Sequence, residues 1–291
     1  MATTHSDSHA ESVEDRKQIL EQDDHMRGME QIEMTVLRLD QPVPSVTRVV
    51  GQIQPVDPTA WVPPNQAVRI LVETPEGVRP VMRIYTIRRF DPETCQVEID
   101  FVRHEDDSPA MRWLAAARPG TRVGMIGPRQ HFLPPQIAGK RAAIFADETA
   151  IPAVYAILAA WPEGGLGDVW VETWDEAAFA ELPRPEGVGL HLLLRTVSQP
   201  AGTAQRLLAA ARAIATPADC TVWAAGERVE MRDLRGHFQK AGVARDHMQV
   251  IGYWKLGLSG SDLDRVRLAE YEALRESGKT LEELDDMDLP V

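Results

Sequence analysis

The chain has 291 residues, enough to bury a core in each of two domains of ordinary size. Its formal net charge of −13, with the basic residues scattered among Asp and Glu, argues against nucleic acid as a partner. The 2 cysteines, Cys95 and Cys220, exclude a multi-disulfide framework and a cysteine-ligated iron–sulfur cluster, which needs about four thiolates. Redox chemistry would therefore rest on an organic cofactor or a guest metal.

The first 28 residues are polar, acidic and without an apolar stretch, so they read as a disordered segment rather than a secretory signal. His5, His9 and His25 match no ligand spacing, and no metal site is expected. No apolar run approaches the roughly 18 residues that span a bilayer, so membrane insertion is not expected and a cytoplasmic location is.

Residues 29–138 are rich in strand patterns: "IEMTVLRLD", "VTRVVGQI", "AVRILVET", "VMRIYTIRRF", "QVEIDFVRH" and "RVGMIGP". Most alternate apolar with polar residues at period two, and Pro- and Gly-rich turns separate them. Six short strands with one helical piece, "SPAMRWLAAA", predict a six-stranded antiparallel β-barrel. From 139 to 257 the rhythm becomes strand–helix–strand, from "RAAIFA" to "MQVIGYW", which predicts an α/β doubly wound parallel sheet. Ile151, Val154, Leu158 and Trp161 mark the apolar stripe of its first helix. Residues 258–291 read as an acidic helical tail.

Within "RIYTIRRF", alternation places Arg83 and Tyr85 on one face of a strand and Thr86 on the other. Arginine offers a planar fork for a diphosphate, and tyrosine a flat wall for an aromatic ring. A threonine hydroxyl and backbone N–H can address ring nitrogens. An Arg–Tyr pair on a solvated strand face explains the fragment equally simply. Next, "DFVRHEDDSPAMRW" sets His104 after a strand and opens a helix near Ser108, a natural seat for phosphate.

The order R-x-Y-T, D-F-V-x-H, P-A-x-x-W, "ARPGTRVGMIGPR", "ADETAIPA", "WAAGE" and "GYWK" resembles that of siderophore-interacting proteins. These are FAD-containing ferric-siderophore reductases of the ferredoxin–NADP reductase-like superfamily, and the resemblance spans roughly residues 30 to 257. It implies FAD on the barrel and NADH or NADPH as electron donor on the second domain. Arg83, Tyr85 and Thr86 would contact the flavin and its phosphate; Asp100, Phe101, Val102 and His104 would form the next wall. Ala110 and Trp113 would belong to the phosphate-side helix. The superfamily usually carries Gly and Ser at the phosphate turn, where this chain has Ser108 and Met111.

In the second domain, "ADETAIPA" stands where a dinucleotide fold usually places glycines. Asp147 is a good helix cap, and its charge would push a pyrophosphate to one side, leaving Thr149 toward the nicotinamide. Gly226 and Glu227 repeat the strand–Gly–helix device and are candidates for cofactor contact. Arg195 and Arg228 are the basic residues available to a 2′-phosphate. Trp254, in "GYWK", would cover the flavin or wall the pocket. Arg69, Arg129 and Lys255 form the expected cationic platform for an anionic ferric siderophore. Two rival readings share the architecture: a flavin reductase or ferredoxin-linked flavoprotein, with ferredoxin as partner, and a flavin- or siderophore-binding protein without turnover.

Overall fold

The computed structural model describes residues 29–75, 80–104, 106–258 and 262. The expected N-terminal segment and nearly all of the expected tail lie outside these residues.

Six strands close the first domain: β1 (Glu30–Val43), β2 (Val46–Gln52), β3 (Gln66–Glu73), β4 (Val81–Asp91), β5 (Gln96–Val102) and β6 (Arg122–Gln130). Their order around the barrel is β1-β2-β5-β4-β3-β6, antiparallel throughout. The period-two apolar positions point inward, so Met34, Val49, Ile70, Ile99 and Met125 form a core sealed from water. Between β5 and β6, α1 (Pro109–Ala116) starts at Ser108 with proline in its first turn.

The second domain is a five-stranded parallel sheet ordered β11-β10-β7-β8-β9. Its strands are β7 (Arg141–Asp147), β8 (Gly167–Thr173), β9 (Val188–Leu194), β10 (Cys220–Glu227) and β11 (Met248–Trp254). The crossovers contain α2 (Ile151–Ala159), α3 (Glu176–Ala180), α4 (Arg206–Arg212) and α5 (Arg228–Lys240). Strand order reverses between β7 and β10, the switch point at which such sheets open a ligand crevice beyond their carboxyl ends.

Both faces of this sheet are covered, which explains its near-continuous apolar strands. Alternation along β7 sends Ile144 and Ala146 to one face, under Val154, Ile157 and Leu158 of α2. Ala143 and Phe145 go to the other, under Leu207, Leu234 and Phe238 of α4 and α5. Val43 and Val46 of the barrel belong to the same core as the α2 face, so the two domains share apolar packing. No helix among the described residues is long and apolar enough to cross a membrane.

Candidate functional site: the barrel strand β4 and the facing sheet edge

Tyr85 lies against Phe101 with ring centroids 4.1 Å apart, and Phe101 stacks on Trp113 of α1 at 5.3 Å. The three rings join β4, β5 and α1 in one row. Burial pushes the Tyr85 phenol well above its usual range, and the neighbouring Arg83 opposes this. Arg83 donates to the Met82 carbonyl at 2.7 Å. Thr86 is buried on the opposite side of β4, toward Tyr253 of β11. The Tyr253 hydroxyl is buried without a well-formed hydrogen bond, and burial raises its pKa.

Three features of this arrangement fit a flavin dinucleotide. The N-terminus of α1 carries no side-chain cap from Ser108 and no acidic residue in its first turn, so its free N–H groups suit a phosphate. Arg83 supplies a cation beside Tyr85. The buried Tyr253 hydroxyl, beside Thr86, gives a polar partner on the domain seam. Met111 contributes packing instead of the superfamily's hydroxyl: it lies against the barrel core, and its sulfur receives the His104 N–H at 3.5 Å. Ala110 is buried on the inner face of α1, Val102 is half-buried, and the His104 side chain is exposed.

Two residues of the expected flavin wall have other work. Asp100 is fully engaged by arginines: Arg48 binds it in a fork at 2.7 and 3.0 Å, and Arg88 adds a third contact at 3.0 Å. Its carboxylate is therefore an ion-pair node. Phe101 is 0% exposed; its ring supports Tyr85 from behind.

The sheet edge gives the second domain's candidate residues packing partners within the protein. Asp147, at the end of β7, caps the turn that starts α2 by accepting from Thr149 N at 2.9 Å and Thr149 Oγ1 at 2.5 Å. Its other oxygen accepts from Trp254 Nε1 at 2.7 Å. Gly226 faces this carboxylate across the switch point, and a Cβ there would sit 2.8 Å from it. The glycine thus makes room for the aspartate. Glu227 caps α5 through Val229 N at 2.7 Å and Glu230 N at 3.0 Å. Thr149 and Trp254 both spend their polar groups on Asp147. Arg195 is buried, ion-paired with Glu148 and bonded to the Thr196 and Gln199 carbonyls.

The switch point is thus lined with buried carboxylates: Asp147, Glu172 and Glu227, with Glu230 behind them. Burial raises the pKa of Asp147 and of Glu172, and lifts Glu148 and Glu230 to about 7. The charge of Asp147 adds to the Glu148 shift, whereas Arg195 opposes it; Glu172 and Asp147 add to that of Glu230. A carboxyl whose folded pKa lies above its unfolded value favours the fold when protonated. Stability should accordingly fall as pH rises from about 4.5 to 7 and level off above that range. Denaturant titrations across this range should show that fall, and Glu230→Gln should flatten part of it.

On the barrel, Arg69 and Arg129 line one shallow pocket with Met29, Ala67, Val68, Ile84, Ile126 and His131. Lys255 follows β11 and is not among these residues. Burial, reinforced by Arg129, lowers the His131 pKa to about 4, so its imidazole is neutral near pH 7. Ile84 and Phe132 expose apolar surface next in sequence to this pocket's strands. Neither His131 nor Phe132 stood out in the sequence, because a lone "HF" after a strand is a common pattern.

Comparisons with known proteins agree with this architecture. Residues 35–132 match a family described as the siderophore-interacting FAD-binding domain, and residues 140–257 match one described as siderophore-interacting protein. The chain is 42% identical over 274 residues to ferric acinetobactin reductase of Acinetobacter baumannii, covering 93% of this chain and 94% of that protein. It is 32% identical over 212 residues to ferric vibriobactin reductase of Vibrio cholerae, covering 67% and 74%. The solved structure of the A. baumannii siderophore-interacting protein superposes with a TM-score of 0.79 at 40% identity, over 85% of this chain and 99% of that one. A siderophore utilization protein from T. fusca gives 0.67 at 28% identity, over 80% and 96%. The chain belongs to the siderophore-interacting protein family, and its barrel is that family's FAD-binding domain.

Proposed function

We propose that this protein is a ferric-siderophore reductase, an FAD-dependent oxidoreductase that draws electrons from NADH or NADPH and releases siderophore-bound iron as Fe(II). The observation that carries this reading is likeness along 93% of the chain to a protein named a ferric siderophore reductase. The Arg83–Tyr85–Thr86 strand beside the uncapped α1 supports it.

Arg83 and the first N–H groups of α1 bind the cofactor's diphosphate. Tyr85, held rigid by Phe101 and Trp113, is the flat wall for its ring system. Thr86 addresses the ring's polar edge, while Tyr253 and Trp254 keep water from the second-domain side. When bound, FAD accepts an electron pair from the nicotinamide and delivers single electrons to ferric iron. The overall reaction balances as NAD(P)H plus two Fe(III) giving NAD(P)⁺, a proton and two Fe(II). Fe(II) attracts hard anionic oxygen donors less strongly than Fe(III), so reduction itself loosens the chelate.

The pocket of Arg69, Arg129 and neutral His131 is the candidate seat for the ferric siderophore. Its two arginines attract an anionic chelate, and the exposed Ile84 side chain offers apolar contact. Close contacts here outlast the field of the acidic chain, which salt screens beyond about 10 Å. The second domain's carboxyl edge at the switch point would hold the nicotinamide, and the Asp147 carboxylate would disfavour a diphosphate on its own turn. Two free cysteines suit a reducing cytoplasm.

Steady oxidation of NADH or NADPH in the presence of a ferric siderophore and a ferrous trap tests the reading. Flavin bound without any such turnover would favour a binding protein. Arg129→Ala should raise KM for an anionic ferric siderophore about 10-fold and leave flavin reduction by nicotinamide unchanged. An unchanged KM would remove Arg129 from the pocket.

A further inference from the structure

Four charged side chains meet where the barrel touches the second domain. Arg48 of β2, Arg88 of β4 and Asp100 of β5 belong to the barrel; Glu181, which ends α3, belongs to the sheet domain. Glu181 Oε2 accepts from Arg48 Nη2 at 2.8 Å and from Arg88 Nη2 at 3.1 Å. The Arg88 guanidinium also lies 3.6 Å from the centroid of the Tyr155 ring on α2. Beside this square, Ser45 N donates to Asp175 at 2.7 Å, a second polar tie across the seam.

The charge count makes the square directional. The barrel side chains alone hold two guanidinium groups against one carboxylate, a buried excess of one positive charge. Side-chain exposure is 14% for Arg48, 4% for Arg88 and 1% for Asp100, so water cannot offset that excess fully. Glu181 cancels it only in one relation of the two domains.

The path to the cofactor strand is short. The register of β4 against β5 shifts between Ile87 and Arg89, so Arg88 sits at a bulge. Ile87 points into the barrel core, whereas Arg88 shares the outer face of β4 with Thr86 and is buried there against Tyr155 and Glu181 of the second domain. Any shift of the second domain thus loads the strand that carries Arg83, Tyr85 and Thr86.

The geometry points to Glu181 as a positioning residue that sets the approach of the nicotinamide, carried on the second domain, to the flavin carried on the barrel. This rests on the reductase reading given above. It separates the two half-reactions: donor and flavin lie on opposite sides of the clamp, whereas the Arg69 and Arg129 pocket and the flavin strand share the barrel. Misplacement of about 1 Å between reacting groups can cost about 100-fold in rate.

The test uses Glu181→Gln, which keeps the side chain's shape and removes its charge, with Glu181→Asp as the charge-retaining control. In anaerobic stopped flow, flavin bleaching by saturating NADH or NADPH should slow about 10-fold or more in Glu181→Gln. Glu181→Asp should recover part of the loss. Reoxidation of the dithionite-reduced protein by a ferric siderophore should stay within about twofold, as should FAD content. Calorimetry supplies a readout independent of turnover: one unfolding transition in the parent should split or broaden in Glu181→Gln. Bleaching within twofold of the parent overturns the inference. So does equal slowing of both half-reactions, the mark of general damage. If neither nicotinamide bleaches the parent, the nicotinamide-donor part of the reductase reading fails on its own, and an unsplit, unshifted transition in Glu181→Gln then overturns the clamp.

Discussion

Arg83→Ala is expected to bind FAD about 10- to 100-fold more weakly than the parent protein, with little loss of stability. Arg83 is the cation of β4 beside Tyr85, and its fork is suited to two phosphate oxygens. One of its hydrogen bonds goes to the carbonyl of the preceding residue, within its own strand. Its side chain is half-buried and lies outside the barrel core, so removal should cost charge-assisted bonds to the cofactor more than fold stability. Equilibrium titration with FAD reads the first quantity, and urea unfolding of the flavin-free protein reads the second. Equal FAD affinity in both proteins would remove Arg83 from the phosphate site.

The second large effect lies in the seam. Asp100→Ala should destabilise the fold by about 3–5 kcal/mol, because it strands Arg48 and Arg88 with only the half-buried Glu181 between them. A fall in the urea midpoint equal to that loss divided by the slope, with the slope itself unchanged, is the expected observation. The same variant distinguishes the two roles considered for Asp100. Refolded Asp100→Ala that binds FAD as tightly as the parent marks a structural node. A loss of FAD affinity with unchanged stability would return Asp100 to the cofactor wall.

The barrel and the doubly wound sheet were both legible in the sequence, for a local reason. Alternation such as that in "VTRVVGQI" and buried runs such as "RAAIFA" report which faces are covered, and pairing follows once the faces are known. The stripe of Ile151, Val154 and Leu158 did become the buried face of α2, with Trp161 packed at its margin. The five residues of α3 went unread, since one turn and a half leaves almost no periodic signal.

Side-chain roles that depend on distant partners were harder to read. Asp100 looked like part of a motif because Phe101 and His104 follow it, yet its partner Arg48 lies 52 positions away. Counting turns Arg88 outward with Ile84 and Thr86, and what it does not encode is that the second domain covers that part of the face. One signal was present nevertheless: an arginine inside the strand run "YTIRRF" requires a carboxylate if it is buried. Gly226 and Glu227 resembled the start of a dinucleotide turn. Their surroundings reveal a glycine making room for Asp147 and a glutamate capping α5, two features of packing that local spacing does not encode.

The most direct test of the central claim is one anaerobic cycle followed by absorption. FAD-loaded protein is first mixed with NADH or NADPH, and then with a ferric siderophore and a ferrous trap. Bleaching of the flavin band by nicotinamide, followed by its recovery as two equivalents of Fe(II) appear per flavin, is the expected result. A band that bleaches only with dithionite would move the donor role to a protein such as ferredoxin. A reduced band that ferric siderophore leaves bleached, with no Fe(II) trapped, would contradict the reductase account.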